Sequence, residues 1–204
     1  MQEAVELALD PERTYEIVDG VPVLKDPPYV VANGLDPERT YEFVDGQPVE
    51  KEMPGARHSG INTRLARSLG NFVAAQELGE VYQEATFQIG ARERVPDLAF
   101  IAADRLPPAG EPETKWLIAP DLAVEIVSPS DFYERVQAKA LEYLAAGVKE
   151  VWLISPENQT VTVQRSASDI AAFTAESELV SADLLPGFRC PLREIFKQPR
   201  NPQL

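Results

Sequence analysis

The segment from Leu122 to Val127, LAVEIV, sets the tightest limit on the fold. Side chains of a strand alternate between its faces, so Leu122, Val124 and Ile126 line one face and Ala123, Glu125 and Val127 the other. Apolar residues on both faces belong to a strand covered on both sides, inside a sheet lying between two layers. Glu125 is out of place there, because burying an ionised carboxylate is costly unless it is paired or binds a cation. The strand breaks at Ser128-Pro129-Ser130, after which Phe132, Val136, Ala140, Tyr143, Leu144 and Gly147 recur at helical spacing. Lys139 stands at the edge of that stripe, one turn from Val136 and from Tyr143. A strand glutamate and a helix lysine are thereby aimed at one site.

The rest of the chain supplies layers for such a sheet. Ile61, Leu65, Leu69, Phe72 and Val73 predict a first long helix from Arg57 to Leu78, with Gly79 in the position of a C-cap. Strands are expected over 80–89, 95–102, 150–154 and 160–164, and a short one at 172–174. A proline-rich surface loop is expected over 103–115, a turn at Leu185-Pro186-Gly187 and a short helix over 192–196. The fold class is α/β, a mixed sheet flanked by two main helices.

One feature lies outside that plan. Residues 9–23, LDPERTYEIVDGVPV, return as residues 35–49, LDPERTYEFVDGQPV, differing only at Ile17/Phe43 and Val21/Gln47. Each copy reads as a hairpin turning at Asp-Gly, through Asp19-Gly20 or Asp45-Gly46. Two copies are too few for a solenoid. Only the second runs on into the main body, so residues 35–204 are expected to form the domain. Residues 1–34, with the Pro27-Pro28 linker, are expected to form an extra edge hairpin or arm.

Composition narrows the chemistry. At 204 residues and 44% hydrophobic, the chain can bury one core. Cys190 and His58 are its sole cysteine and sole histidine, which excludes an intrachain disulfide and multi-cysteine zinc sites and leaves little material for Ser-His-Asp catalysis. No GxSxG elbow and no Gly-rich phosphate loop occurs. With no run of about 18 apolar residues and an acidic start, a soluble cytoplasmic protein is expected. The net charge of -14 opposes a broad phosphate-binding face, although Arg57, Arg64 and Arg67 gather on one predicted helix.

Four residues could carry chemistry together: Glu42 in the second hairpin, Asp97 after Pro96 at a strand start, Glu125 and Lys139. Carboxylate oxygens are what a hard cation such as Mg²⁺ takes as ligands. Such a cation activates water and stabilises charge on a phosphoryl oxygen, while a lysine orients the reacting groups. The chemistry implied is metal-assisted hydrolysis of a phosphodiester. Singly, each residue has an ordinary structural use: Asp97 at a turn, Lys139 snorkelling from a helix edge, Glu42 on a solvated hairpin face, His58 as a cap or surface residue.

The segments YEFVDGQPV (41–49), VPDLAFI (95–101), PDLAVEIVSPSD (120–131) and EYLAAGVKEVWLISPENQTVTV (142–163), with His58 and Lys139, resemble the Uma family of endonuclease-like proteins. That family is catalogued as a domain of unknown function within the PD-(D/E)XK nuclease superfamily. The resemblance runs from about Leu35 to Val163 and implies a restriction-endonuclease-like core. It implies Asp97 and Glu125 as ligands of Mg²⁺ or Mn²⁺, Glu42 as a further acidic contributor and Lys139 as the catalytic lysine. One departure stands out: where the superfamily carries lysine two residues after the glutamate, this chain has Val127. The family resemblance moves the lysine onto the following helix, as Lys139. The expected activity is Mg²⁺-dependent cleavage of DNA, with a second copy of the chain as a candidate partner. The rivals are a nuclease fold kept only for binding or dimerisation, and hydrolysis of nucleotides or other phosphoesters by the same residues.

Overall fold

The computed structural model describes the backbone at 15–18 and 21–24 and, with side chains, residues 35, 39–51, 54–129 and 131–198. Contacts divide the chain into two compact units, Met1–Tyr41 with Glu50–Glu52, and Glu42–Val49 with Met53–Leu204. In the first, β1 (Tyr15–Val18) pairs antiparallel with β2 (Val21–Leu24), as expected of the first repeat copy. Its Asp19-Gly20 turn and the Pro27-Pro28 linker lie outside the described residues. The second copy forms β3 (Tyr41–Val44) and β4 (Gln47–Glu50), neighbours in one sheet. Asp45 and Gly46 between them both have positive φ, 52° and 75°, the demand of a tight Asp-Gly hairpin turn.

Six strands of the second unit build the main sheet: β5 (Gly79–Gln83), β8 (Leu98–Ala102), β9 (Leu122–Ile126), β10 (Glu150–Ser155), β11 (Thr160–Gln164) and β12 (Ile170–Thr174). Their spatial order is β12-β11-β10-β9-β8-β5. Only β9 and β10 run parallel, joined by the crossover helix α2 (Tyr133–Ala145); the other pairs are antiparallel. The sheet is therefore mixed, and alternation splits its side chains into two cores. Leu98, Phe100, Leu122, Val124, Trp152 and Ile154 pack with Ile61, Leu65, Leu69 and Val73 of helix α1 (Ala56–Ala75). On the opposite face Ala99, Ile101, Ala123, Val151 and Leu153 pack with Ala140 and Tyr143 of α2. The two main helices thus cover opposite faces, as a strand apolar on both sides requires.

Three expectations need correction. Residues 80–89 are not one strand: β5 stops at Gln83, Glu84 takes a left-handed φ of 51°, and β6 (Phe87–Ile89) leaves to pair with β7 (Arg92–Arg94) around Gly90. The resulting second sheet, β4-β3-β7-β6, carries the repeat hairpin beside the segment leading into Asp97. Leu185-Pro186-Gly187 is not a turn either; it opens β14 (Leu185–Pro191), which pairs with β13 (Glu178–Ser181) across a register shift before helix α3 (Leu192–Phe196).

Gly79 is the third correction. Helix α1 ends earlier, with Gln76 as its cap and Glu77 at a φ of 53°, while Gly79 opens β5 at a φ of 144°. A Cβ there would lie 2.0 Å from the Ile101 carbonyl oxygen, so the constraint is close backbone approach. Gly79→Ala is expected to destabilise the protein by about 2–4 kcal/mol, through an impossible contact and a strained φ together. Urea unfolding checks this, and an unchanged midpoint would contradict it.

Candidate active site

Two neighbouring strands and one helix carry Asp97, Glu125 and Lys139, and the contacts join Lys139 to Glu125 while the Asp97 carboxylate meets the Ile126 N–H and His58. β8 and β9 pair with Leu98 opposite Val124, and one step along that ladder puts Asp97 across from Glu125. The Asp97 carboxylate is buried, 1% exposed, and its Oδ2 accepts the Ile126 N–H at 2.6 Å. Its side chain thus ties the end of β9 to its own strand. Glu125, half-buried, accepts a hydrogen bond from the Tyr143 hydroxyl at 2.7 Å, and Lys139 Nζ stands 2.9 Å from the same Oε1. Tyr143 and Lys139 are four residues apart on α2, so one face of the crossover helix delivers both groups to the strand.

Glu42 is not the solvated residue that hairpin alternation suggests. It is buried at 7% exposure: Oε1 accepts from Lys139 Nζ at 2.7 Å and from the Val95 N–H at 3.1 Å, and Oε2 from Arg94 at 2.9 Å. Lys139 is therefore held between two carboxylates from different sheets. Arg94, also buried, makes a forked contact with Glu142 at 2.9 and 2.7 Å. Glu142 further accepts from Arg92 at 2.6 Å, and Arg92 reaches back to Asp45 in the hairpin turn. An alternating chain of charges thus runs from Asp45 through Arg92, Glu142, Arg94, Glu42 and Lys139 to Glu125.

This chain fixes protonation. Burial by itself would push the Lys139 ammonium toward losing its proton, but the charges of Glu125 and Glu42 and their hydrogen bonds outweigh it and hold its pKa above the ordinary lysine value. Burial likewise opposes ionisation of Glu42, yet Lys139 and Arg94 keep it below the ordinary value of 4.5; Glu142 is lowered in the same way by Arg94 and Arg92. Burial, and after it the neighbouring Glu125, raises the Tyr143 phenol, which remains a donor. Acids with depressed folded-state pKa values stabilise the fold fully above their unfolded value and lose that contribution as pH falls through the folded one. Stability is therefore expected to hold from pH 7 to about 4.5 and fall below it, less steeply in Glu142→Gln. Denaturant unfolding across pH 3–7 measures this; a decline already under way at pH 6 would contradict it.

His58 lies in the first turns of α1, yet Gly55 is that helix's N-cap. Its Nε2 stands 3.4 Å from Asp97 Oδ2, at ion-pair range but without hydrogen-bond geometry, and both ring nitrogens are buried without a hydrogen-bond partner. Of the three clustered arginines, Arg57 donates to the Pro156 carbonyl and Arg64 to the Ile195 carbonyl at 2.7 Å, so these two serve loops of the fold. Arg94, Glu142 and Tyr143 are the groups that sequence reasoning passes over as site residues. Tyr143 is visible in the sequence only as part of an apolar stripe. Asp121 is a buried acid that works elsewhere in the sheet. Its Oδ2 accepts the Ala102 N–H at 2.9 Å and meets Arg105, while Lys149 lies 2.9 Å from Oδ1. It locks the start of β9 at the end away from Glu125.

A mixed sheet between helices, with acids at the paired ends of adjacent strands, is the restriction-endonuclease-like fold of nucleases. The comparisons agree. A family model described as "Uma2: Putative restriction endonuclease" matches residues 28–193. A solved structure of a "putative nuclease belonging to DUF820" from Anabaena variabilis is 27% identical, with a TM-score of 0.71 over 78% of this chain and 90% of that one. No curated protein matches. The chain belongs to the Uma2 family.

Proposed function

We propose that this chain hydrolyses phosphodiester bonds in DNA with a divalent cation, Mg²⁺ or Mn²⁺, held by Asp97 and Glu125. The observation that supports the reading is the pairing of β8 with β9, whose register sets Asp97 opposite Glu125, together with the Lys139 ammonium 2.9 Å from Glu125. The donor set suits a hard cation, which is commonly held through one or two carboxylates with waters completing its octahedron. Among the described residues no three His, Cys, Asp or Glu side chains form a group that could hold a metal ion, so the proposed cation has two carboxylates alone as protein ligands. The orphaned ring nitrogens of His58 beside Asp97 fit the same picture, since a hydrated cation and its substrate bring hydrogen-bond partners.

When bound, the cation would supply an activated water and a counter-charge for the phosphoryl oxygens. The chain's own groups divide the remaining work. Lys139 is held as an ammonium, so it acts as a donor and positive charge toward the scissile phosphate and not as a proton acceptor. Glu42 has both oxygens committed to Lys139, Val95 and Arg94, which makes it a holder of the lysine and not a cation ligand. Tyr143 fixes the orientation of Glu125.

Incubation with duplex and single-stranded DNA in Mg²⁺, Mn²⁺ or chelator tests the reading. Cleavage is expected only with cation, and is expected to fall at least about 10²-fold in Asp97→Ala and Glu125→Ala. Cleavage in chelator, or unchanged by Glu125→Ala, would overturn it. The net charge of -14 favours the rival reading, a nuclease fold kept for binding or dimerisation. That reading expects no rise in Tm with either cation. No helix among the described residues is long and apolar enough to cross a membrane; a cytoplasmic site of action belongs to the proposal.

A further inference from the structure

Beside the Asp97 strand lies an open cleft of about 240 Å³ that the hydrolytic groups leave unused. Tyr82, Glu84 and Thr86 line one side, from β5 and the residues after it; Glu111, Lys115 and Trp116 line the other. The two sides are pinned together. The Trp116 N–H donates to the Thr86 carbonyl at 2.9 Å, and the Trp116 carbonyl accepts the Gln88 N–H at 2.8 Å. The Trp116 ring packs on Tyr82 and Phe87, with centroids 5.1 and 6.2 Å away. The main sheet fixes where the cleft sits. The Glu84 N–H donates to the Asp97 carbonyl at 3.4 Å, and Tyr82 pairs with Ala99 on the face that Ala140 and Tyr143 of α2 cover. Glu125 meets Tyr143 on that same face, two strands along the sheet, a separation of roughly 10 Å.

Size and charge select the occupant. Sites for drug-sized ligands occupy roughly 300–1,000 Å³, so this cleft suits one planar ring system. Lys115 is already engaged by Glu93, and a phosphate would be repelled by Glu84 and Glu111. A neutral ring carrying N–H groups fits. The Tyr82 hydroxyl is buried and completes no hydrogen bond. Burial, and after it the neighbouring Glu111, raises its pKa, so the phenol remains a donor. The cleft thus sets a donor beside a carboxylate, whose two oxygens can accept from two adjacent N–H groups. Guanine alone among the DNA bases has two such groups on its Watson–Crick edge, next to an acceptor oxygen. Adenine and cytosine turn a lone pair to that place, and thymine follows its N–H with a carbonyl. We infer that the cleft holds a guanine unstacked from a single strand, beside the phosphate addressed by Asp97 and Glu125. Glu111 accepts from its two N–H groups and Tyr82 donates to its oxygen. The inference rests on the reading of this chain as acting on DNA, and narrows the substrate to unpaired strand with guanine near the cleaved bond.

Binding measured in chelator tests the cleft without any cleavage. Fluorescence anisotropy of the full chain is read with labelled oligothymidine strands carrying a central guanine, adenine, cytosine or thymine. The guanine strand is expected to bind about 10-fold tighter than the other three. Glu111→Gln keeps the shape but turns an amide donor toward the same edge, and is expected to erase the preference while oligothymidine binding is unchanged. Tyr82→Phe is expected to weaken the preference. Glu111 is exposed, so its variant is expected to unfold at the parent's Tm. Equal binding of all four strands, no binding, or a preference that Glu111→Gln leaves in place would overturn the inference, even where Mg²⁺-dependent cleavage is found. Guanine preference in a protein that cleaves no DNA would uphold the cleft and remove hydrolysis.

Discussion

Lys139→Met is expected to lower DNA cleavage by about 10²–10³-fold, the loss typical when a preorganised charge facing a transition state is removed. The expectation rests on where the ammonium is kept. Its Nζ lies 2.7 Å from Glu42 and 2.9 Å from Glu125, and both charges hold its proton. Removing it does more than delete a donor: two carboxylates are then left facing one another, and one is driven toward protonation. A neutral side chain of similar length therefore cannot substitute. Arginine keeps the charge but presents a planar fork to a pocket shaped for a point charge, so Lys139→Arg is expected to recover only part of the rate. Single-turnover cleavage of labelled DNA reads the effect, with the circular dichroism spectrum confirming the fold. Wild-type rates in Lys139→Met would remove the lysine from the mechanism.

The second large effect is on stability. Arg94→Met is expected to cost about 3–5 kcal/mol, as for other broken buried ion pairs. Arg94 is 8% exposed and answers two acids at once, with two bonds to Glu142 and one to Glu42. Methionine fills much of the same volume, so the loss reflects the charge withdrawn from buried Glu42 and part-buried Glu142, which keep only Lys139 and Arg92 respectively, and not a cavity. Arg94→Lys should recover little, because one ammonium cannot reproduce the three-bond fork. Unfolding by denaturant gives the number, and a loss below about 1 kcal/mol would show the acids to be better solvated than their burial implies.

Two residues of the candidate site are legible in the sequence because they interrupt apolar patterns. Glu125 stands out inside a strand apolar on both faces, and Lys139 at the edge of an apolar helical stripe; the structure places them 2.9 Å apart. That Lys139 serves in place of a lysine at the position of Val127 remains part of the proposal. Glu42 is legible as a candidate only through family resemblance, since hairpin alternation points it to solvent. What buries it is the docking of β3 on β7, a long-range pairing that no local pattern encodes. Arg94 and Glu142 are invisible for the same reason: each is an ordinary charged letter until the fold joins positions far apart in sequence. The break at Glu84 escapes notice because a non-glycine residue takes the left-handed conformation there, and Gly79 misleads because close approach and helix capping both select glycine.

The most direct test is a crystal of the protein soaked in Mn²⁺, read by anomalous scattering. A single strong peak is expected within coordination distance of both Asp97 and Glu125, on the side that Lys139 faces, and it should vanish in Glu125→Ala. A peak absent from these carboxylates, or seated elsewhere on the molecule, would contradict cation-assisted hydrolysis at this site.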